Sequence, residues 1–211
     1  MDVKELVETL HFACTAEFWR MAIFWTLSLI FSYLQLFAQS LFTQKPIPPR
    51  KTATPTTTGT RIPVCIITGA TSGLGAAAAY ALSREGFYVV LAGRSSHMLL
   101  KAMDDIRAQN KDALLKAFEV DLLSFQSIVK FKGSLQQWLL DSNLHSSVQL
   151  LINNAGILAT SCRLTAEGYD QMMGTNYIGA FCLTQILLPL MENSPVPARI
   201  VNVTSFTHRS G

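Results

Sequence analysis

Strand-like and helix-like patterns alternate along residues 62–211. Short apolar runs such as PVCIIT and FYVVLAG are rich in β-branched residues, which predicts buried strands. The stretches LGAAAAYALSREG and SSHMLLKAMDDIRAQ lie between such runs and have the composition and spacing of helices. Strands that alternate with helices favour a parallel sheet with helices on both faces. We therefore predict an α/β fold with a doubly wound, Rossmann-like parallel sheet.

The N-terminal part of the chain contains a long uncharged segment, residues 21–42. A helix of this length spans about 33 Å, which is enough to cross a bilayer core. Gln35 and Gln39 fall on one helical face, so a buried or interfacial amphipathic helix is the alternative. Lysine and arginine are more frequent after the segment than before it, which places the following domain in the cytosol. We expect a single-pass transmembrane helix in the endoplasmic reticulum or, alternatively, in the plastid envelope.

These patterns divide the chain into four parts. Residues 1–20 form an N-terminal flank, and residues 21–42 form the predicted transmembrane helix. Residues 43–61 are rich in proline and threonine, which is typical of an extended linker. Residues 62–211 form the Rossmann-like domain.

Composition narrows the expected partners. The net charge is only +3, and no basic cluster with interleaved aromatic residues occurs, so we expect no nucleic acid partner. The four cysteines form no C-x-x-C pair and have no histidine nearby at zinc-ligand spacing, so we expect no metal site.

A glycine-rich loop, TGATSGLG, follows the first predicted strand and opens the first helix of the domain. Gly69 allows a sharp turn, Gly73 allows backbone N–H groups to approach a phosphate, and Gly75 allows the helix to pack close to the sheet. The helix N-terminus offers unpaired N–H groups and a positive dipole end to a pyrophosphate. The loop therefore predicts dinucleotide binding by Thr68, Gly69, Thr71, Ser72, Gly73, Leu74 and Gly75.

The end of the second predicted strand indicates which dinucleotide is bound. A site for NAD has an acidic residue there, whereas this chain has Arg94, Ser95 and Ser96. A guanidinium and hydroxyl groups suit a 2′-phosphate. The alternative is an ordinary solvated arginine at the end of a strand. We predict NADP(H), with Arg94 and Ser95 in the site.

Several motifs occur in the order typical of one enzyme family. After TGATSGLG come VDL with Asp121, NNAG beginning at Asn153, GTNYIGAF with Asn176, and VNVTS with Ser205. Together they resemble the short-chain dehydrogenase/reductase family, in its retinol-dehydrogenase-like and WW-domain-oxidoreductase-like branch. The resemblance implies further cofactor contacts from Asp121, Leu122, Asn153, Asn154, Ala155 and Gly156.

The resemblance also implies a catalytic role for Asn176 and Ser205. In the family, a tyrosine passes a proton to or from the substrate, and a lysine four residues later lowers the pKa of that tyrosine. None of the five tyrosines in this chain has a lysine four positions later. We therefore expect a truncated form whose domain is incomplete at its C-terminal side and which has little or no turnover.

Two kinds of function remain open. The first is a membrane-anchored, NADP(H)-dependent oxidoreductase of small apolar carbonyl or alcohol substrates, such as a retinoid, a steroid or another lipid aldehyde or ketone. For a full-length form, the resemblance implies a homodimer. The second is a non-catalytic dinucleotide-binding or interaction protein, or a non-functional truncation product.

Overall fold

The structure is a computed structural model that describes residues 14–42, 62–142, 144, 147–158, 163–165 and 168–205. It divides into two compact units, Pro55–Thr204 and a second unit formed by Met1–Thr54 with Ser205–Gly211. The predicted linker at residues 43–61 lies outside the described residues, as do residues 1–13 of the predicted flank and residues 206–211 of the predicted domain.

The N-terminal unit contains one described helix, α1, at Ala16–Phe42. It begins before the predicted segment and ends at the same residue. Many of its large apolar side chains are exposed, including Trp19, Phe24, Phe31 and Phe37.

A transmembrane helix over residues 21–42 is not supported. Among the described residues, no helix combines the length and the apolar character needed to cross a membrane. In α1, Thr26, Ser28, Ser32 and Gln35 interrupt the apolar sequence at intervals of a few residues, and Arg20 lies just before the predicted segment.

The larger unit is built on a parallel sheet, as predicted. Its strands are β1 at Val64–Thr68, β2 at Tyr88–Gly93, β3 at Leu115–Glu119, β4 at Leu150–Asn153 and β5 at Arg199–Asn202. Their order across the sheet is β3-β2-β1-β4-β5, and every neighbouring pair is parallel. The chain therefore runs outward from β1 to one edge, returns to β4 and continues to the other edge, which confirms the doubly wound α/β topology.

Helices connect successive strands of this sheet. They are α2 at Gly73–Arg84, α3 at Ser96–Gln109, α4 at Phe125–Asp141, the single turn α5 at Gln171–Met173, and α6 at Ala180–Glu192. A π-helical segment, Gly174–Gly179, separates α5 from α6. The stretch GYDQMMGTNYIGAFCLTQILLPLMEN has the composition of one long, largely apolar helix, and the structure divides it into three parts.

Two apolar cores lie on opposite faces of the sheet because successive residues of a strand point to opposite sides. Val64 and Ile66 of β1 belong to the core that includes Phe131 of α4 and Leu187 of α6. The alternate residues of β1 belong to the core formed with α2 and α3. The central strand is buried along its whole length, so it fixes the position of the loop that follows it.

The end strand β5 is less protected than the central strands. All four of its residues are exposed, including the apolar Ile200 and Val201. Among the described strands it pairs only with β4. Apolar side chains therefore lie at this edge of the described sheet.

Phe131 anchors α4 in the first core, and its replacement should measure the contribution of that core to stability. Its side chain is 1% exposed, and its ring packs edge-on against that of Phe118 at 5.7 Å between centroids. We expect Phe131→Ala to lower the free energy of unfolding by about 3–5 kcal/mol because it leaves a cavity.

A matched control is available on the same helix. Phe125 is 59% exposed, so Phe125→Ala should change stability by less than about 1 kcal/mol in the same urea titration. Equal losses for the two variants would contradict the assignment of the core.

Candidate functional site

A cleft opens at the carboxyl ends of β1 and β4, where the chain changes direction across the sheet. Ligands of doubly wound proteins bind at this switch point. The cleft has a volume of about 280 Å³ and opens to solvent. Its walls are formed by Thr68, Gly69, Thr71, Ser72, Ala92, Gly93, Arg94, Val120, Leu122, Asn154, Ala155, Gly156, Ile157 and Thr175.

Most of the predicted cofactor residues line this cleft or lie beside it. Nine line it directly, from the glycine loop, the end of β2 and the turns after β3 and β4. Six do not line it, namely Gly73, Leu74, Gly75, Ser95, Asp121 and Asn153. Contact of any of these fifteen residues with a cofactor stays a prediction.

The glycine loop has the backbone conformation that its sequence predicts. Gly69 and Gly73 have φ angles of 65° and 54°, in the left-handed region that glycine adopts without strain. Gly75 has a different role, since a Cβ there would overlap the Gly69 carbonyl oxygen and lie 2.5 Å from Asn154 Nδ2. The absence of a side chain therefore allows α2 to begin directly against the loop.

The helix α2 begins at the wall of the cleft, because its N-cap residue lines the cleft. Ser72 is the N-cap residue with an extended backbone, but its side chain makes no capping hydrogen bond. The first N–H groups of a helix have no partner within the helix, and they carry the positive end of its dipole. The first turn of α2 fits the negative charge of a pyrophosphate.

Hydrogen bonds join the ends of β1 and β4. Thr68 Oγ1 accepts from the N–H groups of Asn154 and Ala155, at 3.0 Å each. In return, Asn154 Nδ2 donates to the carbonyl oxygens of Thr68 and Gly69 at 3.0 and 3.2 Å. The two strand ends that form the floor of the cleft are thus fixed by side chains that the sequence predicted as cofactor residues.

Asn153 belongs to the sheet. It is buried, and its Nδ2 donates to Thr184 Oγ1 at 2.9 Å and to Asn202 Oδ1 at 2.8 Å. These bonds connect β4 with α6 and β5. Asn153 therefore holds the sheet together behind the cleft.

The end of β2 carries the candidate phosphate-binding group. Arg94 is exposed and lines the cleft. Within the part of the chain that the structure describes, its guanidinium makes no ion pair or hydrogen bond. Ser95 caps α3, because its Oγ accepts from the N–H group of Met98 at 3.4 Å.

An acidic residue lies beside the end of β2, although the sequence around Arg94 contains none. Glu119 ends β3 and stands opposite Gly93 in the sheet register. Its carboxylate accepts a hydrogen bond from Ser96 Oγ. Glu119 ends the strand next to β2, so only the pairing of β2 with β3 shows that it is a neighbour of the strand end that Arg94 follows.

Asp121 and Asn176 use their side chains to hold loops. Asp121 Oδ1 accepts from the N–H group of Leu123 at 3.0 Å, which shapes the turn after β3. Asn176, in the π-helical segment, accepts from the Ile157 N–H group at 2.8 Å and donates to the Ile157 carbonyl oxygen at 2.9 Å. This pair of bonds fixes the loop after β4.

Ser205 is the other predicted catalytic residue. It is grouped with the N-terminal unit and not with the sheet. A catalytic site formed by Asn176 and Ser205 therefore stays a prediction.

Five residues that line the cleft were not among the sequence predictions. They are Ala92, Gly93, Val120, Ile157 and Thr175. Gly93, Val120 and Ile157 directly precede or follow a predicted cofactor residue, and Ala92 directly precedes Gly93, so the carboxyl end of each strand was a usable signal. Thr175 lies in the motif GTNYIGAF directly before Asn176, but the resemblance assigned a role only to Asn176.

Comparison with known proteins identifies the family. The family described as short chain dehydrogenase matches residues 63–211. The chain therefore belongs to the short-chain dehydrogenase family, and the family predicted from the motifs is confirmed.

Individual relatives agree with the predicted branch. Over 146 residues the chain is 34% identical to retinol dehydrogenase 13 of Homo sapiens, an alignment that covers 69% of this chain and 42% of that protein. It is 36% identical over 151 residues to polyprenol dehydrogenase of Mus musculus, covering 70% of this chain and 43% of the relative. The chain thus spans less than half the length of these curated relatives.

Solved structures share the fold. The crystal structure of a metagenomic short-chain oxidoreductase in complex with NADP matches with a TM-score of 0.57 at 25% sequence identity. The match covers 68% of this chain and 62% of that chain.

Replacement of Gly75 tests the close approach of α2 to the loop. We expect Gly75→Ala to lower the free energy of unfolding by about 1–3 kcal/mol, because the added Cβ meets backbone atoms that cannot move independently. Gly133→Ala in α4 is the control, since a Cβ there meets nothing within 4 Å. That variant should be as stable as the wild type, or more stable by up to about 1 kcal/mol, in the same urea titration. A stable Gly75→Ala protein would show that the loop and helix are not in contact.

Proposed function

We propose that residues 62–204 form the NADP(H)-binding part of an oxidoreductase that acts on carbonyl or alcohol groups. The observation that carries this proposal is the combination of three features at one cleft. The glycine loop allows close approach, the first turn of α2 offers N–H groups, and Arg94 supplies a positive charge at the end of β2. The NADP complex of the similar metagenomic oxidoreductase supports the choice of cofactor.

The residues of this chain bind and orient the cofactor in the proposed function. The first turn of α2 holds the pyrophosphate, and Arg94 holds the 2′-phosphate. Asn154 and Thr68 keep the floor of the cleft in place, and Asn176 holds the Ile157 loop at its rim. The nicotinamide supplies hydride transfer when it is bound.

We propose an apolar substrate. Two of the relatives are named for retinol and polyprenol, which are apolar alcohols. Leu158 follows the cleft residue Ile157 and is 89% exposed, so it offers an apolar contact beside the cleft. Membrane attachment, the endoplasmic reticulum or plastid location and a homodimer stay predictions.

A second candidate function is dinucleotide binding without catalysis. The observation in its favour is that no tyrosine among the 211 residues is followed four positions later by lysine. Asn176 alone does not supply a proton, because a neutral carboxamide neither gains nor loses one near pH 7. In this case the chain binds NADP(H) and leaves the substrate unchanged.

Arg94 should determine the preference between the two cofactors. We expect the chain to bind NADPH more tightly than NADH, and Arg94→Asp to reverse that order. Loss of a charge-assisted hydrogen bond to the 2′-phosphate should weaken NADPH binding by about tenfold or more. Isothermal titration calorimetry with both cofactors measures the change.

The control for this experiment keeps the same change of net charge. Arg107 lies in the last turn of α3 and outside the cleft residues. Arg107→Asp should leave the preference for NADPH intact. If the two variants have the same cofactor preference, Arg94 does not read the 2′-phosphate.

An activity assay tests whether this chain alone is sufficient for catalysis. General acid–base catalysis accelerates a reaction of this kind by about 10²–10⁴-fold. In the family a tyrosine–lysine pair provides it, and none of the 211 residues forms such a pair at the family's spacing. We expect the purified chain to oxidise no NADPH with retinal, a steroid ketone or a simple aldehyde above a control without protein. The same preparation should bind NADPH in the calorimeter, which shows that it is folded. Clear turnover would mean that another residue of this chain donates the proton.

A further inference from the structure

Thr175 has a buried hydroxyl group to which neither the fold nor the proposed function has so far assigned a role. The residue is 6% exposed and lines the cleft. Its Oγ1 is buried and has no hydrogen-bond partner among the residues that the structure describes. A buried hydroxyl without a partner is unfavourable, because it has lost its hydrogen bonds to water and gained none.

Other helical threonines in this protein satisfy their hydroxyls locally. Thr184 Oγ1 donates to the Ala180 carbonyl oxygen at 2.8 Å, and Thr26 Oγ1 donates to that of Ala22 at 2.8 Å. This bond to the residue four positions earlier is the usual solution for threonine in a helix. Thr175 does not form it, so its hydroxyl remains available to the cleft.

The buried acceptor Asn153 Oδ1 also has no partner in the described part of the chain, but its situation differs. Its amide group already makes two hydrogen bonds through Nδ2, and the residue does not line the cleft. Thr175 is thus distinguished by having its unpartnered polar atom in a residue that forms part of the cleft wall.

Two glycines fix the position of Thr175. A Cβ on Gly174 would lie 2.7 Å from Leu123 Cδ2, and one on Gly179 would overlap the Leu122 carbonyl oxygen. The π-helical segment therefore packs directly on the turn that follows β3. Such π-helical insertions occur frequently at functional sites.

The contact with the turn after β3 indicates which part of a cofactor Thr175 meets. β3 lies beside β2, which carries Arg94, on the side of β1 away from β4. Leu122 of this turn lines the same cleft as Arg94. Because Arg94 is the proposed partner of the 2′-phosphate, this side of the cleft receives the adenosine half of the dinucleotide.

We propose that the Thr175 hydroxyl hydrogen-bonds to the adenosine half of the bound dinucleotide. This inference rests on the proposed binding of NADP(H). A hydroxyl both donates and accepts, so it can pair with a ring nitrogen of the base or with a ribose hydroxyl. Binding of the dinucleotide then supplies the hydrogen-bond partner that the Thr175 hydroxyl lacks in the free protein.

The test compares Thr175→Val, which keeps the shape and removes the hydroxyl, with Thr175→Ser, which keeps the hydroxyl. Calorimetric Kd values are measured for NADPH, NADH and 2′,5′-ADP, the last of which lacks the nicotinamide half. We expect Thr175→Val to weaken all three by about fivefold, the value of one hydrogen bond. Thr175→Ser should restore most of the affinity.

Controls separate this effect from a loss of structure. Thr26→Val is the same substitution in α1, in the other unit, and should leave all three Kd values unchanged. In the absence of ligand, Thr175→Val should melt at the same temperature as the wild type or higher, because it removes an unsatisfied polar group. A lower melting temperature would show that the hydroxyl is bonded within the protein, which overturns the proposal.

The remaining outcomes are also decisive. Unchanged Kd values for Thr175→Val overturn this inference and leave the proposed function standing. A loss seen with NADPH but not with 2′,5′-ADP overturns the assignment to the adenosine half. Equal losses for the valine and serine variants attribute the effect to the methyl group and overturn the hydrogen bond. If the wild-type chain binds none of the three ligands, the proposed function itself is wrong, and the inference is wrong with it.

Discussion

The hydrogen bonds between the ends of β1 and β4 are the constraint on which the cleft depends. Parallel strands whose connections leave in opposite directions open a crevice, and the backbone groups at its floor lose their ladder partners. Here Thr68 and Asn154 supply those partners to each other's strand. Gly75 then allows α2 to begin against the same atoms. The floor of the cleft is therefore closed by protein groups, and α2 begins beside it at Ser72, which lines the cleft.

Most polar side chains around the cleft form hydrogen bonds to other groups of the protein. Asn153 joins β4 to α6 and β5, Asp121 shapes the turn after β3, and Asn176 holds the loop after β4. A group that is already hydrogen-bonded gains little from a ligand, because it must exchange one partner for another. In the function that we propose, recognition consequently falls on the few groups that the fold leaves open, namely the first turn of α2, Arg94 and Thr175.

The sequence predicts those parts of the site that depend on local conformation. The roles of Gly69 and Gly75 follow from the strand–turn–helix pattern, since a tight turn with a close helix requires glycine there. Glu119 could not be found in this way, because only the pairing of β3 with β2 brings it opposite the cleft residue Gly93. Thr175 could not be found either, because its place in the cleft wall depends on packing between distant segments. The long N-terminal helix was also predicted, but its prediction as a transmembrane helix is not supported. The absence of charged residues suggested that this helix is apolar enough to cross a membrane. Hydroxyl and amide side chains recur along α1, however, and they lower its apolar character.

The π-helical segment connects the two ends of the cleft. Thr175 and Asn176 are adjacent in the chain, yet Thr175 is buried in the cleft wall while Asn176 is exposed and bonded to Ile157. The close contact of Gly179 with Leu122 fixes this segment on the turn after β3. A shift of the segment would therefore displace the wall near β3 and the rim beyond β4 together. The shape of the cleft at both ends thus depends on one short element, held in place by backbone contacts that tolerate no added side chain.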